Sequence, residues 1–141
     1  MYTTFKNLHS YWAYLLLAIL LVAVLNALFG LFKKREYSAK DFRIALFALI
    51  VSHIQFLLGL VLYFVSPLFD LWNQGSVMGD SYKRLMLVEH PSINIIALIL
   101  ITIGYSKHKK KVSSTSKFKT VLIFYLIGLV LLLSRIPWDV W

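Results

Sequence analysis

Apolar residues in this chain come in four long blocks, not at the helical or strand period that would cover a soluble core. The blocks run over about 8–32, 42–66, 84–105 and 118–137. The first ends at Lys33-Lys34-Arg35, the second at Ser66-Pro67, the third before Lys107 to Lys111, and the fourth at Pro137. Each approaches the roughly 20 residues that cross a hydrocarbon layer about 30 Å thick. Lipid offers no partner to an unpaired N–H or C=O, so an open chain crosses it as a helix. The pattern predicts an all-α integral membrane protein, an antiparallel four-helix transmembrane bundle forming one domain over 1–141. Residues 67–83, with Gly75, Gly79, Asp70, Asn73 and Asp80, read as an outer loop that touches the interface through Leu71-Trp72. The first block is longer than the apolar core of a cleavable signal, and no small-x-small site precedes the basic triplet. It is expected to stay as a signal anchor.

Composition agrees. The chain is 60% apolar and 15% charged, with six acidic residues, too few to clothe a soluble domain of this size. The lack of cysteine excludes disulfides, thiolate metal sites and thioether-linked haem. No phosphate-binding loop, serine nucleophile motif or carboxylate pair is present, so no autonomous catalytic activity is expected.

Charge orients the bundle. Lys33, Lys34, Arg35, Lys40 and Arg43 lie in one connection, and Lys107, Lys109, Lys110, Lys111, Lys117 and Lys119 in another. The opposite side holds only Lys6, Lys83, Arg84 and Arg135. This places the basic loops 33–43 and 106–119 in the cytoplasm and both termini outside, in a multi-pass protein of the bacterial cytoplasmic membrane. Trp12, Trp72, Trp138 and Trp141 then fall at the outer boundary as interfacial anchors. The net charge of +9 is thus a topology signal that favours anionic membrane lipids, not nucleic acid.

Ionisable groups inside spans are costly and normally face a bundle interior. They are His9, His53, Glu89, His90 and Arg135, with Asn26, Gln55 and Asn94 as uncharged polar companions. His108, among lysines, reads as a solvated loop residue. At about 100° per residue, Met86, His90, Asn94, Ala97, Ile101 and Gly104 share one stripe. His9, Ala13, Leu16, Leu20, Ala23, Ala27 and Gly30 share another, as do Val121, Phe124, Gly128, Leu131 and Arg135. Small residues on one face allow close helix approach. In the second helix the small and polar stripe is Ala45, Ala48, Ser52, Gln55, Gly59 and Ser66, with His53 about 120° away. Either His53 faces inward and the stripe packs on a neighbour or second subunit, or both flank the interior.

Imidazoles from separate helices of a membrane bundle are a usual way to hold b-type haem, with outer arginines pairing to its propionates. The first ligand pair by this reasoning is His53 with His90, at a depth offset of about 7 Å, and the second is His9 with His90. Arg84, Arg135 and Asn94 complete the expected haem site, and a kink at Pro91 would open space for it. The plainer account makes the histidines interhelical hydrogen-bond glue worth about 0.6 kcal/mol each. A bare metal site of His9, His53, Glu89 and His90 is a rival, although Glu89 projects about 100° from His90. A proton path along Glu89, His90 and His53 is another. Glu89 also reads as a partner for Lys83, Arg84 or Arg135.

The segments His9-Ser10-Tyr11, Ser52-His53-Ile54-Gln55 with Gly59, Val88-Glu89-His90-Pro91, Gly104-Tyr105-Ser106-Lys107-His108-Lys109-Lys110 and Ser134-Arg135-Ile136-Pro137-Trp138 carry a resemblance. Together they resemble a family of short bacterial membrane proteins labelled cytochrome B or cytochrome B-like, over essentially the whole chain. The resemblance implies haem b, with His9, His53 and His90 as the family's histidines and Arg135 as its outer arginine. Gln55-Phe56-Leu57-Leu58-Gly59 is similar to a Gln-x-x-Leu-Gly run in one half of haem A synthase, whose Glu-x-x-x-His-Arg run has no counterpart here. The expectation is a haem-binding subunit that passes electrons between a quinol or respiratory complex and an outer acceptor. The alternatives are a haem-free scaffold, docking or self-associating through Ala48, Ser52, Gln55 and Gly59, and a histidine-based metal or proton-coupled transporter.

Overall fold

Four helices, each long and apolar enough to cross a membrane, account for most of the chain: α1 (Tyr2–Phe32), α2 (Ala39–Val65), α3 (Ser81–Lys109) and α4 (Ser114–Ser134). The computed structural model describes residues 1–141. Between α2 and α3 the chain makes a 3₁₀ segment, Pro67–Gln74. Within α3, Leu85–Glu89 is wound as a π-helix between α-helical Ser81–Arg84 and His90–Lys109. α2, α3 and α4 begin about a turn earlier than the apolar blocks because polar caps, not hydropathy, fix helix starts, and α1, which has no side-chain cap, begins at Tyr2. Ser113 Oγ accepts from the Ser116 N–H at 3.1 Å, and Asp80 Oδ1 accepts from the Lys83 N–H at 2.9 Å.

Only 23 of the 141 residues are buried, while Phe29, Phe47, Leu57, Ile99 and Val130 point outward on all four helices. In water this would be one continuous apolar patch; in hydrocarbon it is the expected exterior. The interior follows the predicted stripes on α1 and α3, while α2 adds Val51 and α4 turns Phe118, Tyr125 and Leu129 inward in place of Leu131 and Arg135. Leu16, Leu20, Ala23, Ala27 and Gly30 of α1 meet Ala45, Ala48 and Val51 of α2, Ala97, Ile101 and Gly104 of α3, and Val121 and Gly128 of α4. Close approach depends on missing side chains. A Cβ would lie 2.4 Å from Phe118 at Gly30, 2.4 Å from Phe124 at Gly104 and 2.7 Å from Ile101 at Gly128. The buried Tyr125 hydroxyl ties α4 to α2 by donating to the Ala45 carbonyl at 2.8 Å.

The end of the bundle that carries the basic connections packs around Asp41, which is 1% exposed. Arg35 donates to both of its carboxylate oxygens at 3.1 Å, and Asn26 of α1 donates at 2.8 Å. The Ser38 N–H and hydroxyl complete the set at 2.8 and 3.0 Å. A buried carboxylate is tolerated only with this kind of saturation. His108 departs from its expected place in a solvated loop. It lies on the last turn of α3, fully buried against Tyr37, Phe42 and Tyr105, and its Nδ1 donates to the Tyr105 carbonyl. The stripe 90, 94, 97, 101, 104 simply continues one step further to 108.

Gly30→Ala forces a methyl against a ring that has no room to retreat. It is expected to cost about 1–3 kcal/mol, read as a lower Tm in detergent. Gly79→Ala, whose Cβ would meet nothing nearer than 3.8 Å, should leave Tm unchanged.

Candidate functional site

At the opposite end, where the termini lie, the helices part around a cavity of about 460 Å³. Its walls are mostly apolar, with Leu16, Phe56, Met86, Leu98 and Leu132 among them. Ile136, Pro137 and Trp141 of the C-terminal tail also line it, and Trp141 stacks on Tyr14 at 4.5 Å. Polar side chains from three helices face this space, among them His9 from α1; Ser52, Gln55 and Tyr63 from α2; and His90 and Asn94 from α3, with Tyr2, Lys6 and Tyr82 nearer the helix ends.

The placement of His90 follows from Pro91. Proline has no N–H, so the Leu87 carbonyl four residues earlier loses its helical donor. In an apolar layer that acceptor needs another partner. The Tyr63 hydroxyl supplies it at 3.0 Å, and Tyr63 in turn accepts from the Trp72 indole at 3.0 Å. The π-turn lies in the same place: the His90 N–H reaches back five residues to the Leu85 carbonyl. Such turns concentrate at functional sites.

The His90 ring is held from the far end of α4. A helix leaves its last carbonyls without partners, and here three of the last four find one. The Leu131 carbonyl takes the Ser134 hydroxyl, Leu133 takes the Trp138 indole, and Ser134 takes the Arg135 guanidinium. The Arg135 carbonyl takes His90 Nδ1 at 2.8 Å. A carbonyl only accepts, so Nδ1 carries the proton and Nε2 keeps its lone pair. Asn94 Nδ2 lies against this ring, 3.1 Å from Nε2 and 3.3 Å from Nδ1.

His9 faces His90, with ring centroids 6.2 Å apart and planes at 81°. Gly59 makes room for it, since a Cβ there would come within 3.0 Å of His9 Cε1. Gln55 Nε2 fixes the α1 backbone at that level by donating to the His9 carbonyl at 2.9 Å. Three buried polar atoms at the cavity have no partner in the chain: His9 Nδ1, Gln55 Oε1 and Asn94 Oδ1.

Of the residues expected to form the site, His9, His90 and Asn94 come together and three others do not. His53 is exposed on the outer face of α2, its Nδ1 donating to the Leu49 carbonyl at 2.9 Å, so it forms no pair with His90. The reason is the small-residue stripe. Ala48 and Ser52 are buried, and Gln55 and Gly59 face the cavity, which rotates His53 outward. That stripe is therefore an interior surface and not a docking face. Arg84 and Arg135 also lie outside the cavity, both facing Glu89, at 3.7 and 4.0 Å. Arg84 further donates to the Met78 carbonyl at 2.8 Å. The rival metal set of His9, His53, Glu89 and His90 does not assemble, and no three His, Asp or Glu side chains converge as metal ligands. Tyr63 was missed as a site residue, although Gln55, Gly59 and Tyr63 recur every four positions on one helix face.

Tyr63→Phe removes the donor to Leu87 and the acceptor of Trp72. A loss of about 1–3 kcal/mol is expected, and hydrogen exchange should quicken in 67–74 and 85–90 while α1 keeps its protection.

Compared with protein-family models, curated proteins and solved structures, the chain matches none.

Proposed function

We propose that this chain is a bacterial inner-membrane protein that holds one b-type haem between His9 and His90 and passes single electrons to a respiratory partner. The supporting topology is an antiparallel bundle with both termini outside and the basic loops in the cytoplasm. Trp12 in the first half of α1 bonds Val51 at the middle of α2, and Asn26 near the end of α1 bonds Asp41 at the start of α2. The asymmetry of Lys and Arg between the two ends supports the orientation.

The observation that carries the haem reading is the facing of His9 and His90 at 6.2 Å across an apolar cavity. One metal ion between two imidazole nitrogens, at about 2 Å each, sets ring centroids roughly 6 Å apart. His90 is oriented as metal-binding histidines usually are, with Nδ1–H on a main-chain carbonyl and Nε2 free to bind. The Asn94 amide lies over the His90 ring, 3.1 Å from Nε2 and 3.3 Å from Nδ1, and would adjust beside a ligand bound at Nε2. His9 makes no side-chain hydrogen bond and retains an orphaned ring nitrogen, which fits a ligand more than structural glue. Lys6, Tyr2 and Tyr82 line the cavity and offer a cation and hydroxyls for the propionates, a role that Arg84 and Arg135 do not fill. The haem would supply reversible one-electron chemistry. The chain's own part is to orient His90 through the Arg135 carbonyl, to seat His9 against Gly59, and to exclude water with the apolar wall.

A second reading rests on the orphaned acceptors. Gln55 Oε1, Asn94 Oδ1 and the His9 nitrogen ask for donors, which the hydroxyls of a quinol provide, its ring and tail lying along the apolar wall without any haem. Docking on a larger complex then falls to the outer face of α2, where His53 and Leu57 are exposed.

The absorption spectrum of the purified protein tests both. A Soret band that sharpens on reduction is expected, lost in His9→Ala and in His90→Ala, and retained in His53→Ala. A colourless protein whose Tm rises with added quinol establishes the second reading, and loss of the band in His53→Ala alone overturns the ligand pair.

A further inference from the structure

The turn between α3 and α4 carries lysine charge with no internal counter-ion. The chain's three ion pairs are Arg35–Asp41, Arg84–Glu89 and Arg135–Glu89, and none involves a lysine. The ammonium groups of Lys107, Lys111 and Lys119 therefore have no carboxylate partner within the chain. Lys111 and Lys119 belong to a cleft of about 320 Å³ whose other walls are Ser116, Thr120, Ile123 and Phe124.

Its construction follows from the helix ends. After Lys109 the α3 helix stops, and the Lys111 N–H bends back to the His108 carbonyl at 3.2 Å. Ser113 caps α4 and donates its hydroxyl to Ser116 Oγ at 2.9 Å. Gly104 allows Phe124 to lie directly on α3, since a Cβ there would be 2.4 Å from Phe124 Cβ. The Lys107 ammonium sits 5.7 Å from the centre of that ring. The result is a cationic rim, a serine hydroxyl, and an apolar wall on the hydrocarbon side.

The geometry points to a binding site for an anionic phospholipid, its headgroup phosphate held by Lys111, Lys119 and Ser116 and its acyl chains lying along Ile123 and Phe124. Phosphate oxygens take charge-assisted hydrogen bonds from ammonium groups and from a hydroxyl. Basic pockets between transmembrane helices are suited to such headgroups. Inorganic phosphate would meet the same charges but leave the apolar wall uncovered. A general preference of basic loops for an anionic leaflet needs no cleft, and the test separates it from this site.

The test uses the full chain in detergent and native mass spectrometry with phosphatidylglycerol, phosphatidylcholine or inorganic phosphate as probe. Phosphatidylglycerol should bind in preference to phosphatidylcholine, and Lys111→Gln with Lys119→Gln should weaken it about fivefold per lysine. Lys33→Gln with Lys34→Gln, an equal change in net charge, should leave binding within about twofold. Ile123→Ser should weaken phosphatidylglycerol and leave inorganic phosphate unaffected. Equal losses from the two lysine pairs, no loss from the first pair, or inorganic phosphate binding as tightly as the lipid would each overturn the site.

Discussion

A carbonyl without a donor, in a layer that supplies no water, is the constraint on which the cavity end of this bundle depends. Pro91 creates that carbonyl at Leu87, one turn before the histidine that faces the cavity. The chain answers with a π-turn and with Tyr63 reaching across from α2. The answer ties three things together: the 3₁₀ segment through Trp72, the second helix through Tyr63, and the start of α3. His90 is thus placed by main-chain accounting, and its aim does not rely on its side-chain neighbours alone. The same accounting at the end of α4 supplies the acceptor that sets its tautomer.

The two ends of the bundle solve the same problem in opposite ways. At the basic end one carboxylate, Asp41, receives donors from α1, the connection and the α2 cap, and the surrounding interior closes over it. Both ends keep polar atoms without partners, Tyr37 Oη and His108 Nε2 at the basic end and His9 Nδ1, Gln55 Oε1 and Asn94 Oδ1 at the other, where they border the larger cavity. Glycine spacing contributes to the contrast. Gly30 and Gly104 are filled by phenylalanine rings and lock the packed half, whereas Gly59 is filled by the edge of an imidazole.

Much of this was legible beforehand because a transmembrane helix has few ways to behave. Block length gave the four spans, and the stripes of α1 and α3 are the buried faces observed, down to Leu16, Ala23 and Ala97. Asp41 could have been found from Ser38-x-x-Asp, a capping-box pattern. The misreadings share one cause. His53 and Arg135 were placed inward on the rule that ionisable groups avoid lipid, but each satisfies itself locally: His53 on the Leu49 carbonyl, and Arg135 on Ser134 and Glu89. His108 was placed outward because lysines flank it, although helical phase carries it into the interior. Neighbours in sequence suggested an environment that neighbours in space did not provide.

The contact from His90 to the Arg135 carbonyl makes helix length a ruler. A main-chain atom does the holding, so the identity of residue 135 is free to drift while its position along the screw is not. Adding or deleting one residue in α4 would swing that oxygen by about 100° and shift it by about 1.5 Å. Substitutions and indels should therefore weigh very differently here, with the reading frame of the coil constrained more tightly than its lettering.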